Sequence, residues 1–441
     1  MARLGGSNDE QPTPLETLAG PTSHQRLPEG TMSVLVGVVV NGAMVYLFLV
    51  LPARVGLIGP DDYAGLAASW FVVFTVVTGL LTPLEQQITI FVTEARARGF
   101  NAMPDVRRTI QAALVPTLSI CALLLLSTPI LGARLLGNSA LMPTTVAAIV
   151  AYVAFQSRRG LLAGRSDFNG YGRLLIIDGV VRAGGAIVLV IMSVRWVPAY
   201  GILIGAPALI AALVSRRSRF HDTAPVNRQP TRGLGRRFAW LVTAQTASQL
   251  VLNFAPLLAP LLADESQRDE AGRIAAGFLV ARIPLFLFQA VQTALLPRLI
   301  EMATTGRLRD LVRELTRLCG LIITLGAVGA LAAASLGPSL IDLSFGSEFG
   351  LERWPLTIMV LAAVAVAVGM TLTQGLVALE RLRSAALAWG AGLVAGLLLL
   401  LVLDDLAIRV ATAFAAASVA ACTALALAVR AALRAERAVA K

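Results

Sequence analysis

Arginine falls on alternate sides of the apolar segments of this chain, and that alternation constrains the fold more than any motif does. The 441 residues carry 36 Arg and one Lys. Of these 37 basic residues, 28 lie in alternate inter-segment stretches and the two tails. Seven lie in the other stretches, and two, Arg182 and Arg282, lie inside apolar segments. Basic loops stay on the cytoplasmic face, so the pattern predicts a multi-pass inner (plasma) membrane protein with both termini cytoplasmic. Only 14% of residues are charged, against about 25% in soluble domains. Read by topology, the net charge of +11 is a cytoplasmic collar facing anionic membrane lipids and not a nucleic-acid surface.

Apolar runs long enough to cross ~30 Å of hydrocarbon recur along the chain. They predict an all-α membrane protein of about 12 transmembrane helices in two six-helix bundles. The first six spans are placed at Met32–Pro52, Tyr63–Leu84, Ile110–Leu131, Leu141–Gln156, Leu174–Val194 and Pro198–Ser215. The second six are placed at Phe238–Ala263, Ile274–Leu296, Leu315–Leu336, Trp354–Leu376, Ala385–Leu403 and Leu406–Val429. Exposed amphipathic extensions, Glu85–Arg98 and Arg298–Arg317, are expected to lengthen the second and eighth helices into the cytoplasm. The expected organisation is a disordered tail (1–31), a six-helix bundle (32–215), a basic linker (216–237), a second bundle (238–430) and a basic tail (431–441). The linker alone holds seven Arg.

The halves echo one another. Gly160-Leu-Leu-Ala is answered by Gly375-Leu-Val-Ala, and Leu136-Gly-Asn-Ser with Pro143 by Phe345-Gly-Ser-Glu with Pro355. Six spans is an even number, so both halves enter from the same face. A parallel repeat about an axis along the membrane normal follows, with a substrate path expected at the seam.

Cys121, Cys319 and Cys422 stand alone in apolar segments, without metal-ligand spacing, and read as small core residues. His24 and His221 lie in polar stretches, which excludes a histidine relay or metal site within the membrane. No Walker-type run exists, so no nucleotide or other cofactor is expected. External loops are too short to build a glycan polymerase or ligase site, so no catalytic residue is expected either.

Polar residues within spans are costly and tend to face a cavity or a partner. Arg282 leads a face that continues through Gln289 and Gln292. It reads either as an anion clamp, since its planar fork binds two phosphate oxygens, or as an arginine that snorkels to the interface. Asp178 and Arg182 are spaced i, i+4 and can pair on one face. The pair reads either as an ion-coupled carboxylate beside an anion-binding Arg or as a mutually neutralised structural pair. Thr78, Thr82 and Glu85 form a stripe on the second span, Gln245, Gln249 and Asn253 another on the seventh, and Asn41 stands on the first. Such stripes glue helices together or line a polar path; their recurrence on equivalent spans of the two halves favours a shared cavity.

Three segments carry a resemblance. One is Arg159-Gly-Leu-Leu-Ala-Gly-Arg-Ser-Asp-Phe-Asn-Gly-Tyr-Gly-Arg leading into Asp178-Gly-Val-Val-Arg182. The others are Arg282-Ile-Pro284 followed by Leu296-Pro297-Arg-Leu, and Leu343-Ser-Phe-Gly346-Ser-Glu-Phe349. With the 6+6 layout, over roughly residues 32–430, the chain resembles the polysaccharide and lipid-linked-oligosaccharide flippases of the multidrug/oligosaccharidyl-lipid/polysaccharide exporter superfamily. The resemblance implies a MATE-like, V-shaped pair of bundles working by alternating access. It implies a polyprenyl-diphosphate-linked saccharide as cargo, with Arg282 and Arg182 holding the diphosphate. It also implies polysaccharide polymerases or glycosyltransferases as partners. Twelve spans, where the peptidoglycan-precursor flippases of this superfamily have fourteen, argue against the peptidoglycan precursor lipid II as the cargo. A drug/cation antiporter of the same superfamily and a non-transporting scaffold on the same fold are the competing readings.

Overall fold

The computed structural model describes residues 30–215, 234–282 and 299–439, and all their regular structure is helical. In chain order the helices of the first half are α1 (Thr31–Arg54), α2 (Pro60–Arg98), α3 (Met103–Leu126), α4 (Leu141–Gly164), α5 (Phe168–Ile191) and α6 (Val197–Val214). The second half has α7 (Leu234–Leu252, resumed as Phe254–Leu262), α8 (Arg268–Ala281), α9 (Leu308–Phe345), α10 (Arg353–Ala378), α11 (Leu382–Leu399) and α12 (Leu406–Val439). Among the described residues nine helices are long and apolar enough to cross a bilayer, or ten when the bent pair Thr128–Leu136 and Leu141–Gly164 is taken as one span. A helix satisfies its own backbone in hydrocarbon, which is why the apolar runs take this form.

Local sequence sets the helix ends. Pro60 opens α2 at a position whose N–H needs no partner, with Asp61 and Asp62 in the first turn; Gly99 closes it in a left-handed conformation after Arg96 and Arg98. Asp167 caps α5 by accepting from the Gly170 N–H at 2.8 Å. Within α2 a π-turn, Val77–Leu81, precedes Pro83, whose missing N–H leaves the Gly79 carbonyl without its usual i+4 donor.

The helix pairings repeat between halves. α1 packs on α5 as α7 packs on α11, α4 on α6 as α10 on α12, and α3 on α4 as α9 on α10. Gly137 and Gly346, at matched places after α3 and α9, both have positive φ (65° and 105°). α1, α3 and α9 lie at the periphery, where residues such as Leu126, Leu331 and Leu343 are more than two-thirds exposed and face hydrocarbon.

Three expectations are corrected. The segment Glu85–Arg98 is not a fully exposed extension: Glu85, Ile88, Val92 and Ala95 are buried, and Gly160 and Gly164 of α4 bring that helix directly onto Ile88 and Val92. The segment Arg298–Arg317 is not one continuous extension of a helix, and its link to the eighth helix, 283–298, lies outside the described residues. The helical stretch 299–304 stops at Gly306 (φ 71°), and residues 308–317 form the first turns of α9. The third span also ends early, at Leu126, because a π-turn at Thr128–Gly132 leads into a 93° bend before α4.

The halves close on each other at the outer, acidic face. Gly272 of α8 sits so near the Pro60 carbonyl that a Cβ there would collide with it. Arg268 pairs with Asp61 at 3.6 Å and donates to the Ala133 carbonyl, and Arg54 Nε donates to the Leu343 carbonyl at 3.1 Å. Tyr63 stacks edge-on against Phe345 and Phe349, with centroids 5.6 and 5.3 Å apart. Nearer the bilayer middle, Gly79 of the π-turn admits Thr246 of α7, and Asn253 Nδ2 donates to Thr75 Oγ1 at 2.9 Å.

Candidate functional site

A cavity of about 250 Å³ lies inward of that seal, on the path from mid-bilayer to the Arg-rich face. Its walls come from α1, α2, α4 and α5, with Leu279 and Arg282 of α8 closing it from the other half. Among the described residues three guanidinium groups, Arg159, Arg182 and Arg282, and one carboxylate, Asp178, line it. A second carboxylate, Glu85, stands behind Arg159. Three positive and two negative charges leave the site one charge positive.

The fully buried Arg182 is held from every side. Its Nη2 and Nη1 donate to Asp178 Oδ1 and Oδ2 at 2.7 and 3.0 Å, a bidentate pair. Nη2 also reaches the Tyr152 hydroxyl at 3.0 Å, and Nε donates to the Leu203 carbonyl at 3.2 Å. That carbonyl is available because its i+4 residue is Pro207, which has no N–H to give it. Asn41 Nδ2 completes the cluster by donating to Asp178 Oδ2 and to the Leu175 carbonyl, both at 2.9 Å. Trp70 lies 5.3 Å from the guanidinium.

Toward the Arg-rich face a second network begins. Glu85 Oε1 accepts from the Tyr171 hydroxyl at 2.9 Å and pairs with Arg159 Nε at 3.4 Å; Arg159 Nε in turn donates to that hydroxyl at 2.9 Å. Arg159 Nη1 donates to Gln156 Oε1 at 2.8 Å, and Gln156 Nε2 to Thr82 Oγ1 at 3.3 Å. Glu85 Oε2 is buried without a hydrogen-bond partner, so the carboxylate is only half satisfied.

Arg282 belongs to the seam. It is 3% exposed, so it does not snorkel to the interface. Its Nη1 donates to Asn253 Oδ1 at 2.9 Å, and it sits within 5.1–5.6 Å of the rings of Phe71, Phe74 and Phe278. Two of those rings come from α2, so the guanidinium joins the halves while facing the cavity.

The residues named from sequence therefore sort four ways. Asn41, Thr78, Thr82, Asp178, Arg182 and Arg282 line one cavity. Glu85 is brought to it through Arg159 and Tyr171, and Asn253 through Arg282. Gln249 is buried and Gln245 half-buried on the α7 face that carries Thr246 and Asn253, outside the cavity lining. Gln289 and Gln292 lie outside the described residues. Sequence reasoning passed over Tyr152, Gln156 and Tyr171, and read Arg159 as part of the loop collar. Only the spacing of Arg159 and Tyr171 within one resemblance segment hinted at them, because their partner Glu85 sits on another helix.

No family model matches the chain. It is 27% identical over 368 residues to an uncharacterized protein of Mycobacterium tuberculosis strain H37Rv, covering 81% of this chain and 82% of the relative. It is 28% identical over 260 residues to a second uncharacterized protein of that strain, covering 57% and 58%. Among solved structures it is similar to an inward-facing multidrug resistance MATE family transporter of the MOP superfamily, with a TM-score of 0.71, 11% identity, and 92% and 99% of the chains covered. It is similar to a MATE protein in the bent conformation (TM-score 0.62, 11% identity, 93% and 95% covered). It is also similar to a MOP superfamily transporter from Pyrococcus furiosus whose binding pocket is described as reversed in polarity (TM-score 0.64, 12% identity, 92% and 96% covered). The chain has the MATE transporter fold.

Proposed function

We propose that this protein is a transporter of the MOP type that moves an anionic, membrane-borne cargo, a polyprenyl-diphosphate-linked saccharide, by alternating access between its two halves. The observation that carries this reading is the excess of guanidinium over carboxylate in a cavity set at the seam. A cationic cargo would meet net repulsion there, whereas a diphosphate meets forked donors in a low-dielectric wall. Arg282 is the diphosphate contact in this reading, with Arg182 and Arg159 behind it. The cavity of about 250 Å³ is small for a glycan, so a full cargo requires the halves to part. Asp178 could couple a cation only if Arg182 releases it.

The aromatic lining, with Tyr46, Trp70, Phe71, Phe74 and Phe155, favours a second reading, a multidrug/cation antiporter. Reconstituted liposomes test both. Fluorescent polyprenyl-diphosphate saccharide should flip with wild type and fail to flip with Arg282→Gln, under imposed Na+ or H+ gradients. Export of a cationic dye, with no flipping of any saccharide offered, would move the protein to the antiporters.

A further inference from the structure

The first half holds its two cavity guanidinium groups in different ways. Arg182 is locked: its side chain has no exposure, and Asp178 grips it through both oxygens at 2.7 and 3.0 Å. Arg159 stands seven residues, or about 10 Å of helix, along α4 from Tyr152, which touches Arg182. It is held loosely. Its side chain is 26% exposed, and its carboxylate contact, Glu85 Oε1, lies at 3.4 Å. A settled guanidinium–carboxylate bond measures about 2.7–2.9 Å. The hydrogen bonds of Arg159 go to neutral groups, the Tyr171 hydroxyl and Gln156 Oε1. Glu85 is poorly matched in return. It is buried, its Oε1 is shared between Tyr171 and Arg159, and its Oε2 has no hydrogen-bond partner. A buried carboxylate serving only to tie helices together would have both oxygens bonded.

We propose that Arg159 is the first contact of an incoming diphosphate at the Arg-rich mouth of the cavity, and that Glu85 is an internal competitor for it, taking up a proton when displaced. This entry step rests on the transport reading proposed for the same cavity. Before cargo arrives, Glu85 neutralises Arg159 and, with Tyr171, holds it in place. A diphosphate offers the guanidinium a forked partner and draws it off its single long carboxylate contact. Glu85 is then left charged, buried and beside an anion. Protonation relieves that arrangement, because a lone buried carboxylate is far costlier than its neutral form. The titratable groups facing the pair are Tyr171 of α5 and, around the cavity, Tyr152 of α4 and the Asp178–Arg182 pair, whose charges cancel. Among the described residues no charged group of α3 or α7, which also touch this part of α2, pairs with Glu85. Tyrosine keeps its proton to about pH 10, so Glu85 is the group that titrates. Proton and anion then favour each other's binding by the same factor.

The test is the binding of geranylgeranyl diphosphate to the purified full-length protein in lipid nanodiscs. Isothermal titration calorimetry across the neutral pH range, in buffers of two ionisation enthalpies, gives affinity and protons taken up. Arg159→Gln removes the contact and supplies the ligand's own titration as a baseline. The double variant Glu85→Gln/Arg159→Gln, which leaves no unpaired charge, supplies the same baseline if Arg159→Gln does not fold. Against it, wild type should bind more tightly and take up about one more proton per ligand, an affinity gain of up to about tenfold for each unit of falling pH. Glu85→Gln should bind at least about tenfold more tightly than wild type at the alkaline end, where no charged partner has to be displaced, and should follow the baseline's pH slope. Wild type and Glu85→Gln sharing one affinity and one slope, or Arg159→Gln binding as tightly as wild type, overturns the entry step. If Arg282→Gln abolishes binding in that case, the diphosphate reading stands without it. No binding by the wild type, or binding unchanged in both Arg159→Gln and Arg282→Gln, overturns both.

Discussion

Removing the Asp178 carboxylate tests the chemistry of the cavity most directly. In Asp178→Ala, Arg182 loses both charge-assisted bonds, at 2.7 and 3.0 Å, and keeps only neutral acceptors around a side chain with no solvent exposure. A buried ion pair broken on one side costs about 3–5 kcal/mol, because the remaining charge stays buried and uncompensated. Arg182→Met costs less, since Asp178 retains the Asn41 donor at 2.9 Å. The double variant Asp178→Ala/Arg182→Met removes both charges and should recover about 2 kcal/mol or more relative to the sum of the singles. Unfolding in mixed micelles with increasing SDS, followed by circular dichroism, measures all four proteins. A loss below about 1 kcal/mol in Asp178→Ala would show that the guanidinium reaches water or other acceptors, and an additive double variant would show that the pair is not energetically coupled. Either result would refute the account of a locked pair and return Asp178 to the role of an exchangeable ion site.

Other expectations follow from the seam and the prolines. Tyr63→Ala removes two edge-on ring contacts at the outer seal, a loss of about 3–5 kcal/mol for a buried aromatic. The expected result is a longer and broader distance between spin labels at positions 62 and 265, and an unchanged distance would refute the seal. Gly272→Val drives a side chain into the Pro60 carbonyl and should open the same labels without touching the cavity. Pro207→Ala restores an N–H to the Leu203 carbonyl, which then competes with Arg182 Nε. We expect global stability within about 1 kcal/mol of wild type and an altered pH or ion dependence of transport, and identical transport would show that this acceptor does not position Arg182. Gly79→Leu at the π-turn should separate α2 from Thr246 and lower the yield of folded protein, measured by size-exclusion chromatography.

The sequence alone determined the all-α membrane class, the order of the helices, the side on which basic residues gather, and the parallel repeat. Each of these depends on local or cumulative properties: an apolar run must span hydrocarbon as a helix, and arginine stays on one face whatever the helices later pack against. It also named Asp178 and Arg182 as partners, because i, i+4 spacing is a property of one helix.

What needed the tertiary structure was every relation between helices. Glu85 looked like the start of an exposed extension, yet α4 glycines draw that helix against it and Arg159 and Tyr171 enclose its carboxylate. Arg282 was balanced between interface and cavity by its depth, and the decision came from three rings and Asn253, which belong to helices that no periodicity links to it. Arg158, counted with the cytoplasmic collar, turned out to be buried between α4 and α6. The physical reason is common to all three. The cost of a charge in hydrocarbon can be read from its position along one helix, but the group that offsets that cost comes from a neighbour. Which neighbour faces which residue is set by packing across the bundle and the seam.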